Sequence, residues 1–245
     1  MWNETQVKNH LDASKRLAGV LKAAILEIKN NADCTEYEIS QFILNQFKTQ
    51  NLRTDKEVPI VAFRENTSFV HYYPKQKSAK KLQDNTLILI DLWARLKTKD
   101  APYSDITWMA YRGKTIPPVI NEAFFHVKTA RDKATDYLKN HLKNGRIPTG
   151  MEMDNIARSY LQEKNLHNNF LHSTGHSIGH FTSPHGRYGH LRRTNASPLS
   201  TNLGYTVEPG LYFEGQFGVR SEIDFIIQNG KLKITTPIQD EIEII

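Results

Sequence analysis

One strand-like run constrains the fold of this chain more than any other stretch. Residues 86–92 read Thr-Leu-Ile-Leu-Ile-Asp-Leu, an apolar run that carries a single carboxylate, Asp91, near its end. Such a run is typical of a strand that is covered on both faces. Because an unpaired buried charge is costly, we expect the Asp91 carboxylate to meet a cation, a metal ion or a proton. The run therefore predicts a polar site at the end of a buried strand.

Further carboxylates and imidazoles follow in motifs that resemble metal-binding segments. A second strand-like run, residues 103–107, carries Asp105. Residues 171–180 contain several histidines close to the small residues Gly175 and Gly179. Neutral imidazoles and carboxylates are the ligands that first-row divalent ions accept, and small residues allow close approach. The candidate metal ligands are Asp91, Asp105, His176, Glu208 and Glu222.

The predicted elements occur in a similar order in both halves of the chain. The first half has an amphipathic helix over residues 8–30, a second helix after a capping box at Thr35, and strand-like runs at 58–63 and 69–73 that we expect to form a hairpin. The second half has a long helix between Pro117 and Gly145, another over 153–161, and a strand-rich tail. Its Asn229-Gly230 pair predicts a hairpin turn. We expect one domain, residues 1–245, made of two related halves.

Composition bounds the class of protein. The net charge is +6, but the lysines are dispersed and no basic stripe with interleaved aromatic residues is present, so we expect no nucleic-acid partner. No apolar run reaches membrane-spanning length and the amino terminus lacks a signal-peptide pattern, so we expect a cytoplasmic protein without a membrane partner. Cys34 is the only cysteine, so any metal must be held by carboxylates and histidines.

Four motifs resemble those of the creatinase and methionine aminopeptidase superfamily, in particular its Xaa-Pro aminopeptidase and prolidase branch. Residues 172–179 resemble the family's HxTGHxxG element, residues 207–212 its VEPGxY element, residues 218–222 its GxRxE element, and residues 105–107 its DxT element. The resemblance covers nearly the whole chain. It implies an α+β pita-bread fold, in which two pseudo-symmetric halves share a curved, mainly antiparallel sheet flanked by helices.

The resemblance also implies roles for individual residues. Asp91 would bind one of two divalent metal ions alone, Asp105 and Glu222 would bridge both, and His176 and Glu208 would complete the second ion's ligands. Two such ions activate water and polarise a substrate carbonyl, while Glu208 would act as general base and then acid. The implied catalytic residues are Glu208, His172 and His185, and the implied substrate-binding residues are His71, His172, His185 and Arg220.

The chain departs from the family pattern at several positions. Trp93 stands where the family usually has glycine, and the loop between Asp91 and Asp105 is longer than the common pattern. A small insertion precedes the last histidine of its segment, so His180 and His190 compete with His185 for the role of second substrate-facing histidine. The chain also begins directly at the catalytic domain, which makes proline specificity the least direct inference.

The resemblance therefore predicts a dinuclear metal-dependent exopeptidase that removes the amino-terminal residue of peptides, of the Xaa-Pro aminopeptidase type. Manganese is the expected ion, although cobalt, iron or zinc would suit the same ligands. The alternatives are a methionine aminopeptidase-like enzyme, a creatinase-like carbon–nitrogen hydrolase, and a non-enzymatic relative that binds peptides. The expected partner is a peptide substrate, and a homodimer is compatible with the resemblance.

Overall fold

The computed structural model describes residues 1–55, 57–187 and 189–245, and it begins with two packed helices. Helices α1 and α2 both start with a capping box, Asn3 with Gln6 and Thr35 with Glu38, in which each side chain bonds the other residue's backbone N–H. Their apolar faces pack against one side of the largest sheet. The elements of this half are α1 (Glu4–Asn30), α2 (Glu36–Thr49), β1 (Leu52–Arg53), β2 (Ile60–Phe63), β3 (Thr86–Leu96) and β4 (Tyr103–Arg112).

The second half repeats the pair of helices. Helix α3 begins at Pro118, where proline suits the first helical position, and α4 begins with a third capping box, Thr149 with Glu152. The turn at Asn229-Gly230 has positive φ at both residues, which confirms the predicted hairpin turn. The elements are α3 (Pro118–Lys143), α4 (Gly150–Glu163), β5 (Gly204–Val207), β6 (Gly210–Phe213), β7 (Phe217–Arg220), β8 (Ile223–Gln228), β9 (Lys231–Ile234) and β10 (Glu243–Ile244).

Three sheets carry the strands of the described residues. Strands β1, β3, β4 and β10 follow one another in the largest sheet, with β2 also paired to β3; β5, β8 and β9 form the second sheet, and β6 and β7 the third. Every pairing is antiparallel except β4 with β10. The α+β architecture agrees with the predicted pita-bread fold.

The register of β3 and β4 places the polar residues of the predicted site on one face. Asp91 lies opposite Thr107, and Trp93 lies opposite Asp105. Because paired residues and residues two apart on a strand share a face, all four side chains project to the same side. The two halves meet there, since the Asp105 backbone N–H donates a 2.8 Å hydrogen bond to Asp224 Oδ2 on β8.

The predicted hairpin of residues 58–63 and 69–73 is wrong. Strand β2 pairs with β3 instead, and a 3-10 turn, Arg64–Ser68, follows it directly. Residues 69–73 form no strand. The side chains of Asn66 and Tyr72, in and beside this stretch, bond to Glu36. This segment lies beside the predicted site. No helix among the described residues is long and apolar enough to cross a membrane.

Gly175 is predicted to be intolerant of a side chain. A Cβ atom there would lie 2.1 Å from the backbone oxygen of Thr206 on β5, whereas a Cβ at Gly19, on the exposed face of α1, would meet nothing within 4 Å. We expect Gly175→Ala to lower the free energy of unfolding by about 1–3 kcal/mol through overpacking. The matched control Gly19→Ala should raise it by up to about 1 kcal/mol through helix propensity. Urea denaturation measures both, and equal midpoints for Gly175→Ala and the wild type would contradict the expectation.

Candidate metal centre

A cavity of about 540 Å³ lies between the two halves and is lined by most of the predicted site residues. It is walled by the β3 and β4 face, the segment after β2, and the histidine-rich loop between α4 and β5. Eight of the predicted site residues line it: His71, Asp91, Asp105, His172, His176, His185, Glu208 and Arg220. The ninth, Glu222, lies among their ligand atoms, beside Asp105 and His176.

Three of these residues form one compact group of potential metal ligands. One oxygen or nitrogen atom each from Asp105, His176 and Glu222 lies within 4.8 Å of the others. All three side chains are buried, with residue exposures of 3–5%. They come from β4, from the histidine-rich loop and from the β7–β8 connection, so the group exists only in the folded chain.

The tautomer of His176 determines what this group can bind. Its Nδ1–H donates a 2.9 Å hydrogen bond to the Ser177 carbonyl oxygen, so in the neutral ring the Nε2 lone pair faces the cavity. Nε2 lies 3.3 Å from Glu208 Oε1 and 3.8 Å from Asp105 Oδ2. Burial lowers the pKa of His176 well below its usual value, so the ring remains neutral. A lone pair and two carboxylate oxygens therefore converge, which is an arrangement that fits a divalent cation.

The pKa values of the carboxyl groups indicate the same need for positive charge. Burial raises the pKa of Glu208 to about 7. Burial, followed by the charge of neighbouring carboxylates, raises the pKa of Asp105 and of Glu222 well above the ordinary value. A bound divalent cation would reverse these shifts, because it favours the ionised form of each group.

Asp91 lies beside this group and is held by Arg220. The Arg220 guanidinium bonds directly to Asp91 Oδ2, and its Nε donates a 2.9 Å hydrogen bond to Thr107 Oγ1. Thr107 in turn donates to Glu222 Oε2 at 2.8 Å. Arg220 therefore orients two carboxylates, one directly and one through Thr107. It also borders the cavity, where its role as a substrate contact stays a prediction.

His172 borders the cavity, but both of its ring nitrogens have partners. Nδ1–H donates to the Ser173 carbonyl oxygen at 2.8 Å, and Nε2 accepts a 2.8 Å hydrogen bond from the Tyr212 hydroxyl. Burial lowers the pKa of His172 to about 3, which keeps this tautomer neutral. Tyr212 also accepts a 3.1 Å hydrogen bond from Arg220 Nη1. His172 therefore reaches the rest of the site through Tyr212, a residue that the sequence analysis did not single out.

The three competing histidines occupy different places. The His185 ring stacks on His176, with 3.8 Å between ring centroids, and lines the cavity together with His71. His180 stacks on exposed Phe181 and lines a separate groove, while His190 lines a third pocket. Of the three, His185 is the one that lines the cavity together with the candidate metal ligands.

Two further buried carboxylates support the site and were missed. Asp224 Oδ2 accepts hydrogen bonds from the Asp105 N–H and the Ser104 hydroxyl at 2.8 and 2.9 Å. Asp154, on α4, accepts from the Thr174 N–H and hydroxyl at 2.8 Å each. Asp224 stands two residues after Glu222, and in an extended chain such residues point to the same side. The sequence could therefore have indicated Asp224 as a neighbour of the site. Asp154 gives no such signal, since its partner is twenty residues away.

Trp93 forms part of the cavity wall. Its indole is 6% exposed and lies on the cavity face of β3, opposite Asp105 in the register. Trp93 packs in the hydrophobic core and borders the cavity at once. A bulky ring at this position narrows the cavity beside Asp105.

Relatives identified by sequence include several peptidases. Aminopeptidase P1 of Lotus japonicus is 30% identical over 176 residues, which make up 69% of this chain and 24% of that protein. Xaa-Pro aminopeptidase 1 of Dictyostelium discoideum is 27% identical over 239 residues, 92% of this chain and 36% of that protein. The chain thus spans about a quarter to a third of the length of these two relatives.

Solved structures share the fold over the whole chain. An X-Pro aminopeptidase from Thermotoga maritima matches with a TM-score of 0.86 and 25% identity, covering 100% of this chain and 64% of that one. An X-prolyl aminopeptidase from Caenorhabditis elegans, described as a cytosolic enzyme with a di-nuclear active site, matches with a TM-score of 0.78 and 22% identity over 97% of this chain and 40% of that one.

The family assignment follows from the extent of the sequence match. The pattern of metallopeptidase family M24 matches residues 8–229, which include every predicted site residue. The matched region contains both halves of the fold and the cavity between them. This chain therefore belongs to metallopeptidase family M24.

Proposed function

We propose that this chain hydrolyses the amino-terminal peptide bond of peptides, as a metal-dependent aminopeptidase of the Xaa-Pro type. The observation that carries the proposal is the convergence of the His176 Nε2 lone pair with the oxygens of Glu208 and Asp105 in a cavity between the halves. The names of the relatives support the Xaa-Pro type. A methionine aminopeptidase-like activity, creatinase-like hydrolysis and peptide binding without turnover are the outcomes that a substrate panel would separate.

Two divalent ions are the proposed cofactors, with manganese preferred by the hard oxygen ligands. Asp105, His176, Glu208 and Glu222 would hold them, and Asp91 would join through the carboxylate that Arg220 orients. Bound divalent ions would lower the pKa of water and polarise the substrate carbonyl. The description of the C. elegans relative as di-nuclear supports the pair of ions.

Glu208 is the proposed general base and acid. Its carboxylate lies in the cavity, 3.3 Å from His176 Nε2, where it would be within reach of a water molecule that attacks the substrate. Thr206 Oγ1 donates a 2.9 Å hydrogen bond to Glu208 Oε1, which fixes one carboxylate oxygen. Glu208 would take a proton from the attacking water and deliver it to the leaving amine.

His71 and His185 are the proposed substrate-facing histidines. Both line the cavity near Asp91 and His176, where an N–H can bind the substrate carbonyl oxygen or the oxyanion that develops from it. His172 would act through the Tyr212 hydroxyl that it orients. The cytoplasm is the proposed location, and a homodimer is the proposed assembly.

Replacing Glu208 tests the proposed activity. We expect metal-loaded wild type to cleave Xaa-Pro peptides and Glu208→Gln to lose about 10²–10⁴-fold in kcat, because the amide cannot transfer the proton. The matched control is Glu214→Gln, an exposed residue in the β6–β7 turn, which should retain wild-type turnover. A mass-spectrometric assay with a panel of Xaa-Pro, Met-Ala and Met-Gly peptides measures both rate and specificity. Release of methionine alone would replace the Xaa-Pro assignment, and no cleavage by the wild type would contradict the peptidase proposal.

Metal affinity is predicted to depend on pH. Glu208 binds a proton below its raised pKa of about 7, and a protonated carboxyl group is a poor ligand, so protons and metal compete. We expect the apparent Kd for Mn²⁺ to fall as the pH rises from 5.5 to 8, with proton release on binding at the lower pH. Isothermal titration calorimetry in buffers of different ionisation enthalpy measures both quantities. An affinity that does not change over this range would contradict the proposed ligand role of Glu208.

A further inference from the structure

The segment that carries His71 is held without regular sheet structure. Residues 64–80 contain a 3-10 turn, Arg64–Ser68, and no strand among the described residues. The segment nevertheless supplies Val70, His71 and Tyr73 to the cavity wall. Its position must therefore be fixed by side chains, because an irregular chain has no ladder of backbone hydrogen bonds to hold it.

Glu36 is the side chain on which the segment converges. It is the first residue of α2 and is 0% exposed. Its Oε1 accepts hydrogen bonds from the Phe63 N–H at 2.7 Å and from Asn66 Nδ2 at 2.9 Å. Its Oε2 accepts from the Tyr72 hydroxyl at 2.6 Å and from the Lys80 N–H at 2.7 Å. The donors are spread along the segment: Phe63 precedes it, Asn66 lies in its 3-10 turn, Tyr72 follows His71, and Lys80 ends it.

The partners that face the Glu36 side chain are hydrogen-bond donors without a positive charge. Within the part of the chain that the structure describes, no lysine, arginine or histidine side chain forms an ion pair with it. Each of its carboxylate oxygens faces one backbone N–H, of Phe63 or of Lys80, and a backbone N–H can only donate.

The same segment contacts the second half of the fold. The Thr67 hydroxyl accepts a 2.9 Å hydrogen bond from the Gly218 N–H on β7, and a Cβ at Gly218 would lie 2.3 Å from the Thr67 backbone oxygen. The Val70 carbonyl accepts a 3.3 Å hydrogen bond from Arg220 Nη1. A shift of the segment would displace His71, whereas Arg220 would keep its bonds to Asp91, Thr107 and Tyr212.

Asp154 has the corresponding role in the other half. Like Glu36, it lies on the second helix of its half and is 0% exposed. The Asp154 carboxylate accepts hydrogen bonds from the backbone N–H and the hydroxyl of Thr174. It also accepts a 2.6 Å hydrogen bond from Arg158 Nε, and Arg158 in turn donates to the His172 carbonyl oxygen. Each half therefore uses one buried carboxylate of its second helix to hold the loop that brings histidines to the cavity.

We propose that Glu36 is a positioning residue for the peptidase reaction, which acts by fixing His71 over the cavity. The inference rests on the proposed function for its kinetic part, since His71 is assigned there to the substrate. Glu36 touches neither the cavity nor a candidate metal ligand directly. Its effect on turnover should therefore pass through His71 and leave metal binding unchanged.

A double-mutant cycle between Glu36 and His71 tests this proposal. In Glu36→Gln the amide NH₂ would face a backbone N–H, of Phe63 or of Lys80, in either orientation, so the segment must move, and a displacement of about 1 Å can cost up to about a hundredfold in rate. We expect kcat/KM to fall about ten- to a hundredfold at unchanged metal content. In the His71→Ala background the same change should cost less than about threefold, because the interaction it disturbs is already absent. Equal losses in both backgrounds, or a lower metal content, would overturn the proposal.

Two further variants make the cycle specific. Glu38→Gln is the matched control, because it changes the same residue type on the same helix. The Glu38 side chain bonds to Thr35, outside the segment of residues 64–80. This variant should retain wild-type kcat/KM. Tyr72→Phe removes the hydroxyl that donates to Glu36 and adds no new hydrogen-bond donor beside it. This variant therefore replaces Glu36→Gln in the test if Glu36→Gln does not fold. We expect it to lower kcat/KM several-fold, and wild-type kinetics for Tyr72→Phe would count against the proposal.

Amide hydrogen exchange tests the positioning step without any peptide turnover. In Glu36→Gln we expect faster exchange across residues 64–80 and unchanged exchange across residues 172–178, while Asp154→Asn should show the reverse. Faster exchange in both segments, or in neither, would overturn the positioning role. If the wild type cleaves no peptide but exchange changes as expected, the proposed function fails while the structural part of the inference stands.

Discussion

The site depends on a convergence of lone pairs that the fold imposes on His176. The Ser177 carbonyl oxygen fixes the proton on Nδ1, so Nε2 faces Glu208 and Asp105 with no proton to share. Electron-rich atoms held this close in a buried cavity repel one another unless a cation lies among them. Burial raises the pKa of Glu208 to about 7, and burial, followed by the charge of neighbouring carboxylates, raises the pKa of Asp105 and of Glu222 well above the ordinary value. The arrangement fits a divalent-metal centre, and the chain belongs to a metallopeptidase family.

Buried carboxylates outside the centre hold the pieces that meet there. Asp224 joins β4 to β8 through the backbone of Asp105, Asp154 holds the loop of His172 and His176, and Glu36 holds the segment of His71. Each accepts hydrogen bonds from backbone or hydroxyl groups, which an irregular loop otherwise leaves unsatisfied. The two halves thus use similar means to present short loops to one cavity. Rigid presentation of this kind is what a site for transition-state binding requires.

The motifs and the presence of the four helices could be predicted from the sequence, because their signals are local. Helices α1 and α4 nevertheless begin before the predicted residues 8 and 153, at capping boxes on Asn3 and Thr149. Capping boxes, the apolar β3 run and the Asn229-Gly230 turn each depend on neighbouring residues, and the ordered carboxylates and His176 carry family motifs. The predicted hairpin after β2 failed because β2 pairs with β3, a strand distant in the sequence, while the Asn66 and Tyr72 side chains bond to Glu36. The partners of His172 and Arg220 could not be predicted either, since Tyr212 and Thr107 reach them only through the tertiary fold.

The most direct test of the metal centre is a crystal structure of the chain grown with Mn²⁺, with anomalous diffraction recorded near the manganese edge. We predict anomalous density in contact with His176 Nε2 and with carboxylate oxygens of Asp105 and Glu222, together with a second peak on the Asp91 side of Asp105. Manganese bound elsewhere on the chain, with the His176 Nε2 position free of anomalous density at millimolar Mn²⁺ and neutral pH, would contradict the account.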